Sequence, residues 1–104
     1  MVAFTGATVN GAVAEHLGVL ATVLELYDEA DGHFGHALQT YEGLSAPFFV
    51  AMTELEWGRM LLVRRAAGDL TRARTMLSSA RGTAQRYGFA GLERRVGEEL
   101  ATLS

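Results

Sequence analysis

The 104-residue chain has no cysteine and no lysine, and its one proline is Pro47. Without cysteine there are no disulfides and no thiolate metal sites, and cysteine usage says nothing about redox compartment. Without lysine the Gly-x-x-x-x-Gly-Lys phosphate loop is excluded, and Gly11, Gly18, Gly32 and Gly35 do not cluster into a phosphate cradle. Residues 1–58 also lack arginine while carrying eight acidic groups; residues 59–104 carry nine arginines and four acids. The two parts hold −8 and +5, which makes up the net charge of −3. This asymmetry reads as two solvated faces of opposite sign, and it can also steer one end of a molecule toward the other end of a neighbour. No apolar run approaches the roughly 20 residues that span a bilayer. The N-terminus has no basic region leading into an apolar stretch, so no signal peptide and a cytoplasmic location are expected.

What the chain does have is apolar content. Apolar residues make up 49% of it, and the mean hydropathy is +0.13. One domain of this size can build a core from that, with apolar surface left over for an interface.

The apolar positions recur with helical spacing. Residues 1–9, rich in Gly and Thr, show no such period and read as an irregular arm, with Phe4 free to dock on the first helix. Asn10 can cap a helix over 11–26 in which Val13, Leu17, Leu20 and Leu24 share a stripe. Asp28 is placed to cap a second helix reaching Glu42, with Ala30, Phe34, Ala37, Leu38 and Tyr41 inward, and Gly43-Leu44 reads as a left-handed cap. Pro47 opens a third helix to about residue 66, since its missing N–H costs nothing in the first turn. Asp69 is placed to cap a fourth helix running to Tyr87, ended by Gly88, and a fifth covers about 90–102 with Leu92, Val96, Leu100 and Leu103 on one side. The expectation is an all-α domain of five helices in antiparallel hairpins.

A small-large-small face organises the pattern. Ala30, Phe34 and Ala37 recur as Ala73, Leu77 and Ala80, 43 residues later, and each half begins with a Gly-containing pair, Leu17-Gly18 or Trp57-Gly58. These residues, with Tyr27 and Gly68-Asp69-Leu70, resemble the signature positions of tetratricopeptide repeats. The period exceeds the family's value of about 34, the closing proline is missing and the third helix is about one turn too long. The repeats are therefore degenerate, over about 10–43 and 46–88, with 90–102 as capping helix. The set His16-Leu17-Gly18, Tyr27-Asp28-Glu29-Ala30, His33-Phe34, Ala46-Pro47-Phe48, Arg59-Met60-Leu61, Arg72-Ala73-Arg74 and Leu92-Glu93-Arg94-Arg95 is similar to the C-terminal helical-repeat region of actinobacterial LuxR-type and adenylate-cyclase-like regulators. That resemblance implies a TPR-like scaffold in a transcriptional regulator, without the ATPase, cyclase or DNA-binding motifs.

No catalytic constellation emerges. Ser45, Ser78, Ser79 and Ser104 lie outside a Gly-x-Ser-x-Gly elbow, and Glu54 and Glu56 do not share a helical face. Glu29, His33 and His36 have ligand-compatible spacing but lack a full ligand set, so the histidines read as the edge of a packing face. The arginines from Arg64 to Arg95 read as a solvated outer face, and nucleic acid is not an expected partner. The third helix is apolar on more stripes than one face can bury. Phe48, Phe49, Met52, Trp57 and Met60 are therefore the candidate protein-interaction residues, for a homodimer or adjacent domains of a larger regulator. Leu17, Gly18, Ala30, Phe34, Ala37, Gly58, Ala73, Leu77 and Ala80 are expected to pack the repeats. No cofactor, metal or membrane partner is expected. The alternatives are a small apolar effector in a groove between the first and third helices, or metal or catalytic chemistry at His33 and His36.

Overall fold

The computed structural model describes the backbone of residues 2–103 and the side chains of 11–103. Five helices follow one another: α1 (Val2–Val23), α2 (Tyr27–Gly43), α3 (Pro47–Arg64), α4 (Asp69–Tyr87) and α5 (Ala90–Ala101). No strand occurs among the described residues. The pairs α1/α2 and α3/α4 are hairpins, and α5 packs on α4. The chain is thus all-α, as its periodicity indicates.

Three of the four connections are very short because each helix closes and the next opens on neighbouring residues. Glu25, Ser45 and Gly88 take left-handed conformations, with φ of 62°, 52° and 77°. The amide that follows each returns to a carbonyl inside the finished helix: Leu26 to Ala21, Ala46 to Tyr41, and Phe89 to Ala84. That is the closure expected of a helix ending on a left-handed residue. Leu26, Ala46 and Phe89 then start the next helix with no side-chain cap.

Several boundary expectations are corrected here. Helix α1 begins at Val2, so the expected arm is helical from that residue and Asn10 lies inside a helix rather than capping one. The docking of Phe4 lies outside the described side chains. Asp28 sits in the first turn of α2 instead of at its cap. The left-handed turn after α2 falls on Ser45, while Gly43 is still helical. Asp69 does not cap α4; its carboxylate accepts the Ala66 N–H across the preceding turn, at 2.9 Å.

The core lies between the helices of each hairpin and continues from one hairpin to the next. Gly18 rests on the Phe34 ring, where a Cβ would come within 2.8 Å, and Gly58 rests on Leu77, where it would come within 3.0 Å. Position 58 is 40 residues after 18, and 77 is 43 after 34, so the two hairpins repeat one contact. Ala30, Phe34, Ala37, Ala73, Leu77 and Ala80 are all buried. Their small side chains let the helices approach, and the large one fills the space opposite glycine.

Leu17 does not join that packing. Helix α1 meets α2 through Gly11, Ala14, Gly18 and Ala21, all buried, while Leu17 is exposed. Glycine and alanine win this face because the bulky Phe34 and Tyr41 of α2 leave no room for a second large side chain.

A candidate interaction surface on the first helix

Polar groups lock α3 to its neighbours and so fix which surfaces remain free. The Trp57 indole N–H donates to Asp31 Oδ1 on α2 at 2.7 Å, and Arg72 of α4 donates to the same oxygen at 3.1 Å. The Arg72 guanidinium also lies 5.5 Å from the centre of the Trp57 ring. Arg64 donates through Nε and Nη2 to the two oxygens of Asp69, at 2.7 and 2.9 Å, and through Nη1 to Asp28 at 3.2 Å. The Arg64 hydrogen bond, together with the Ala66 N–H, holds the buried Asp69 carboxyl below the usual carboxylate range. Arg64 therefore belongs to an internal clamp across α2, α3 and α4, not to a solvated outer face.

That clamp settles the position of the third helix's apolar residues. Trp57 and Met60 are buried, packed with Ala30, Phe34 and Leu61, and they are not available to a partner. Met52 is half-buried beside the cluster of Ala51, Leu55 and Leu92. Phe48 and Phe49 keep 38% and 44% of their surface exposed, yet Phe49 stacks on Tyr41 and Phe48 meets Phe89 edge-on. Helix α3 touches each of the other four helices, which is why it is apolar on so many sides. Its surplus is largely spent inside the chain.

The free apolar surface lies on α1 and the turn that directly follows it. Val13, Leu17, Leu20 and Leu24 are exposed to 51%, 40%, 48% and 60%. They form the stripe read from the sequence, but it points away from α2. Val19, Val23 and Leu26 are exposed as well. Forty residues later the same row holds Thr53, Trp57, Met60 and Arg64. There the row is covered: Trp57 and Arg64 bond to α2, Met60 packs with α2 side chains, and Thr53 is fully buried. The α1 row thus occupies a helix-packing position with no helix on it among the described residues.

On the side of α1 away from the row Glu15 meets Tyr41 and Glu56, while Glu54 of α3 is buried near Glu42 and Ser79. Tyr41 donates its hydroxyl to Glu15 at 3.3 Å; burial and this carboxylate push the phenol up to about 12. Burial, then the neighbouring Glu15, pushes Glu56 up to about 8. Glu54 is pushed up to about 7 by burial, with Ser79 pulling it down and Glu42 adding to the rise. One oxygen each of Glu54 and Glu56 is buried without a hydrogen-bond partner. Glu54 and Glu56 face different neighbours, as their two-residue spacing implies, and do not form an acid/base pair.

The groove between α1 and α3 holds about 270 Å³ and is lined by Val19, Phe34, Glu56, Arg59, Met60 and Val63, among others. Ligand pockets usually run from about 300 Å³ upward. A larger open groove of about 570 Å³ lies elsewhere, where Glu42, Pro47 and Val50 face Ser79, Thr83 and Arg86 of α4.

Against known proteins, the chain matches no family model, no curated protein and no solved structure. The surfaces themselves are therefore the ground for a functional reading.

Among the described residues no group of three or more His, Cys, Asp or Glu side chains is placed to share a metal ion. His33 is half-buried and His36 exposed. No helix among the described residues is long and apolar enough to cross a membrane. Of the arginines from Arg64 to Arg95, Arg72 pairs with Asp31 and Arg74 donates to the Leu103 carbonyl; Arg59, outside that set, pairs with Glu99.

Proposed function

We propose that this chain is a non-catalytic, TPR-like helical-repeat scaffold that works by binding protein, as a regulatory module of a bacterial transcriptional regulator. The observation that carries the binding part is the α1 row. Val13, Leu17, Leu20 and Leu24 are solvent-exposed at positions whose counterparts in α3 are packed against another helix. Contiguous exposed aliphatic surface of this kind marks an interaction site more often than a free surface. Hairpin repeats bury their apolar sides by stacking on neighbours, so an uncovered end face is where another element is expected. The regulatory setting rests on the resemblance of residues about 12–96 to the helical-repeat region of LuxR-type regulators.

The test is photo-crosslinking from a benzophenone amino acid at position 20, in cells that make the protein. The expected result is discrete protein adducts from position 20 and none from position 81, where Arg81 is exposed on α4. An absence of adducts at position 20 would remove the binding reading.

A further inference from the structure

The occupant of the α1 row can be specified further, on the premise that the row is a protein-binding face. We infer that the partner is a second copy of this chain, the two α1 helices packing antiparallel across a two-fold axis between Leu17 and Leu20.

The row is complementary to itself. Its spacing of four, three and four residues is the same read from either end. With Leu17 of one copy opposite Leu20 of the other, Val13 meets Leu24, and all eight side chains find an aliphatic partner. This is also the spacing of a two-helix seam. An isologous contact of this kind closes after two copies and leaves no free end.

The chemistry of the row fits the same occupant. At the equivalent positions α3 carries an indole N–H and a guanidinium, and α2 supplies Asp31 and Asp28 to satisfy them. Helix α1 and the turn residue Leu24 carry only Val and Leu there, so a second copy leaves no donor stranded. Glu15 is turned to the opposite side of α1, toward Tyr41, so it does not enter the seam. An anionic membrane is a poorer match, because residues 1–58 carry eight acids and no arginine or lysine.

A stable dimer takes roughly 800 Å² from each partner, about an eighth of this chain's 6070 Å². The row from Val13 to Leu24 supplies the apolar centre of such a contact over about 17 Å. Val23 flanks the row and the exposed His16 lies at its edge, as an apolar centre with a polar rim requires.

The chain's lack of cysteine makes covalent trapping free of background. Leu17→Cys and Leu20→Cys chains, mixed and oxidised, should form the mixed disulfide in preference to either homodimer, and Leu70→Cys should form none. Preferential Leu17→Cys homodimers would overturn the antiparallel register. In parallel, sedimentation of the intact chain at high micromolar concentration should show a dimer, weakened at least about tenfold by Leu20→Glu. Leu20 is half-exposed, and unchanged helical circular dichroism would show that the variant folds. A monomer that still crosslinks from position 20 to a different protein would overturn the second copy and leave the binding face standing. A monomer with no crosslink would overturn both.

Discussion

Three glycines in helical conformation separate packing from propensity at the residue scale. A Cβ at Gly18 would approach the Phe34 ring to 2.8 Å, whereas one at Gly32 meets nothing within 4 Å. Gly18→Ala should destabilise by about 1–3 kcal/mol through overpacking, less up to about 1 kcal/mol regained from helix propensity. Gly32→Ala should stabilise by about 0.5–1 kcal/mol. Urea denaturation of the two variants checks both signs. Gly58→Ala belongs with Gly18, because its Cβ would reach Leu77 at 3.0 Å.

The buried carboxyls set a pH dependence at the same scale. Glu54 and Glu56 bind protons up to about 7 and about 8 when folded, but only to about 4.5 when unfolded. Between those values the folded state holds more protons, so stability falls as pH rises from about 4.5 to about 8. Asp69 works in the opposite sense in strongly acidic solution: its lowered value contributes stability that is lost as pH falls through it. The melting temperature should therefore be higher at pH 5 than at pH 8.5. Glu54→Gln should flatten that slope, removing on the order of 2 kcal/mol of the difference. An unchanged slope in the variant would show that Glu54 is solvated in the folded chain.

Within the helices, the clamp on α3 and the covered row on α1's counterpart explain what could be read from sequence. The five helices were legible because Pro47, Gly88 and the small-large-small faces announce themselves in residue type. The start of α1 was not, since Gly, Thr and β-branched residues disguise a helix that begins at Val2. Apolar spacing shows which residues of a helix form a stripe, but not which neighbour covers it. On α1 the eye goes to Val13, Leu17, Leu20 and Leu24, while Gly11, Ala14, Gly18 and Ala21 make the contact with α2. On α3 the opposite error arises: Trp57 and Met60 look like surplus until α3 proves to touch every other helix. The candidate surface was thus legible as a stripe on one helix and as an expected excess on another.

The clamp gives this scale its own test. Asp69 is 1% exposed and paired with Arg64. Asp69→Ala leaves that guanidinium without its main partner, and breaking a buried pair costs about 3–5 kcal/mol. Thermal unfolding should show a large loss. The fully exposed Asp28 side chain also pairs with Arg64, but its replacement by Ala should change stability far less. Equal effects would mean the clamp is not organised around Asp69.

For the whole molecule, the fold is a stack of two hairpins and α5 with one face of α1 uncovered among the described residues. Its helices lie in a slab of 44 × 33 × 18 Å, about two helix diameters thick. Hairpin repeats gain most of their stability from their neighbours, so the end face matters more here than in a closed domain. One end is covered by α5, whose Leu92 and Val96 are buried against the α3/α4 hairpin. The other presents the α1 row to solvent. Covering that row should raise the melting temperature with protein concentration, since association with the folded state alone stabilises it by mass action.

The most direct measurement is methyl NMR of the intact chain across a concentration series. Self-association through α1 predicts that the Val13, Leu17, Leu20 and Leu24 methyls shift or broaden together as concentration rises, while Leu77 and Val96 stay fixed. Invariant α1 methyls, or shifts centred on Leu70, Phe48 and Phe49 instead, would contradict it.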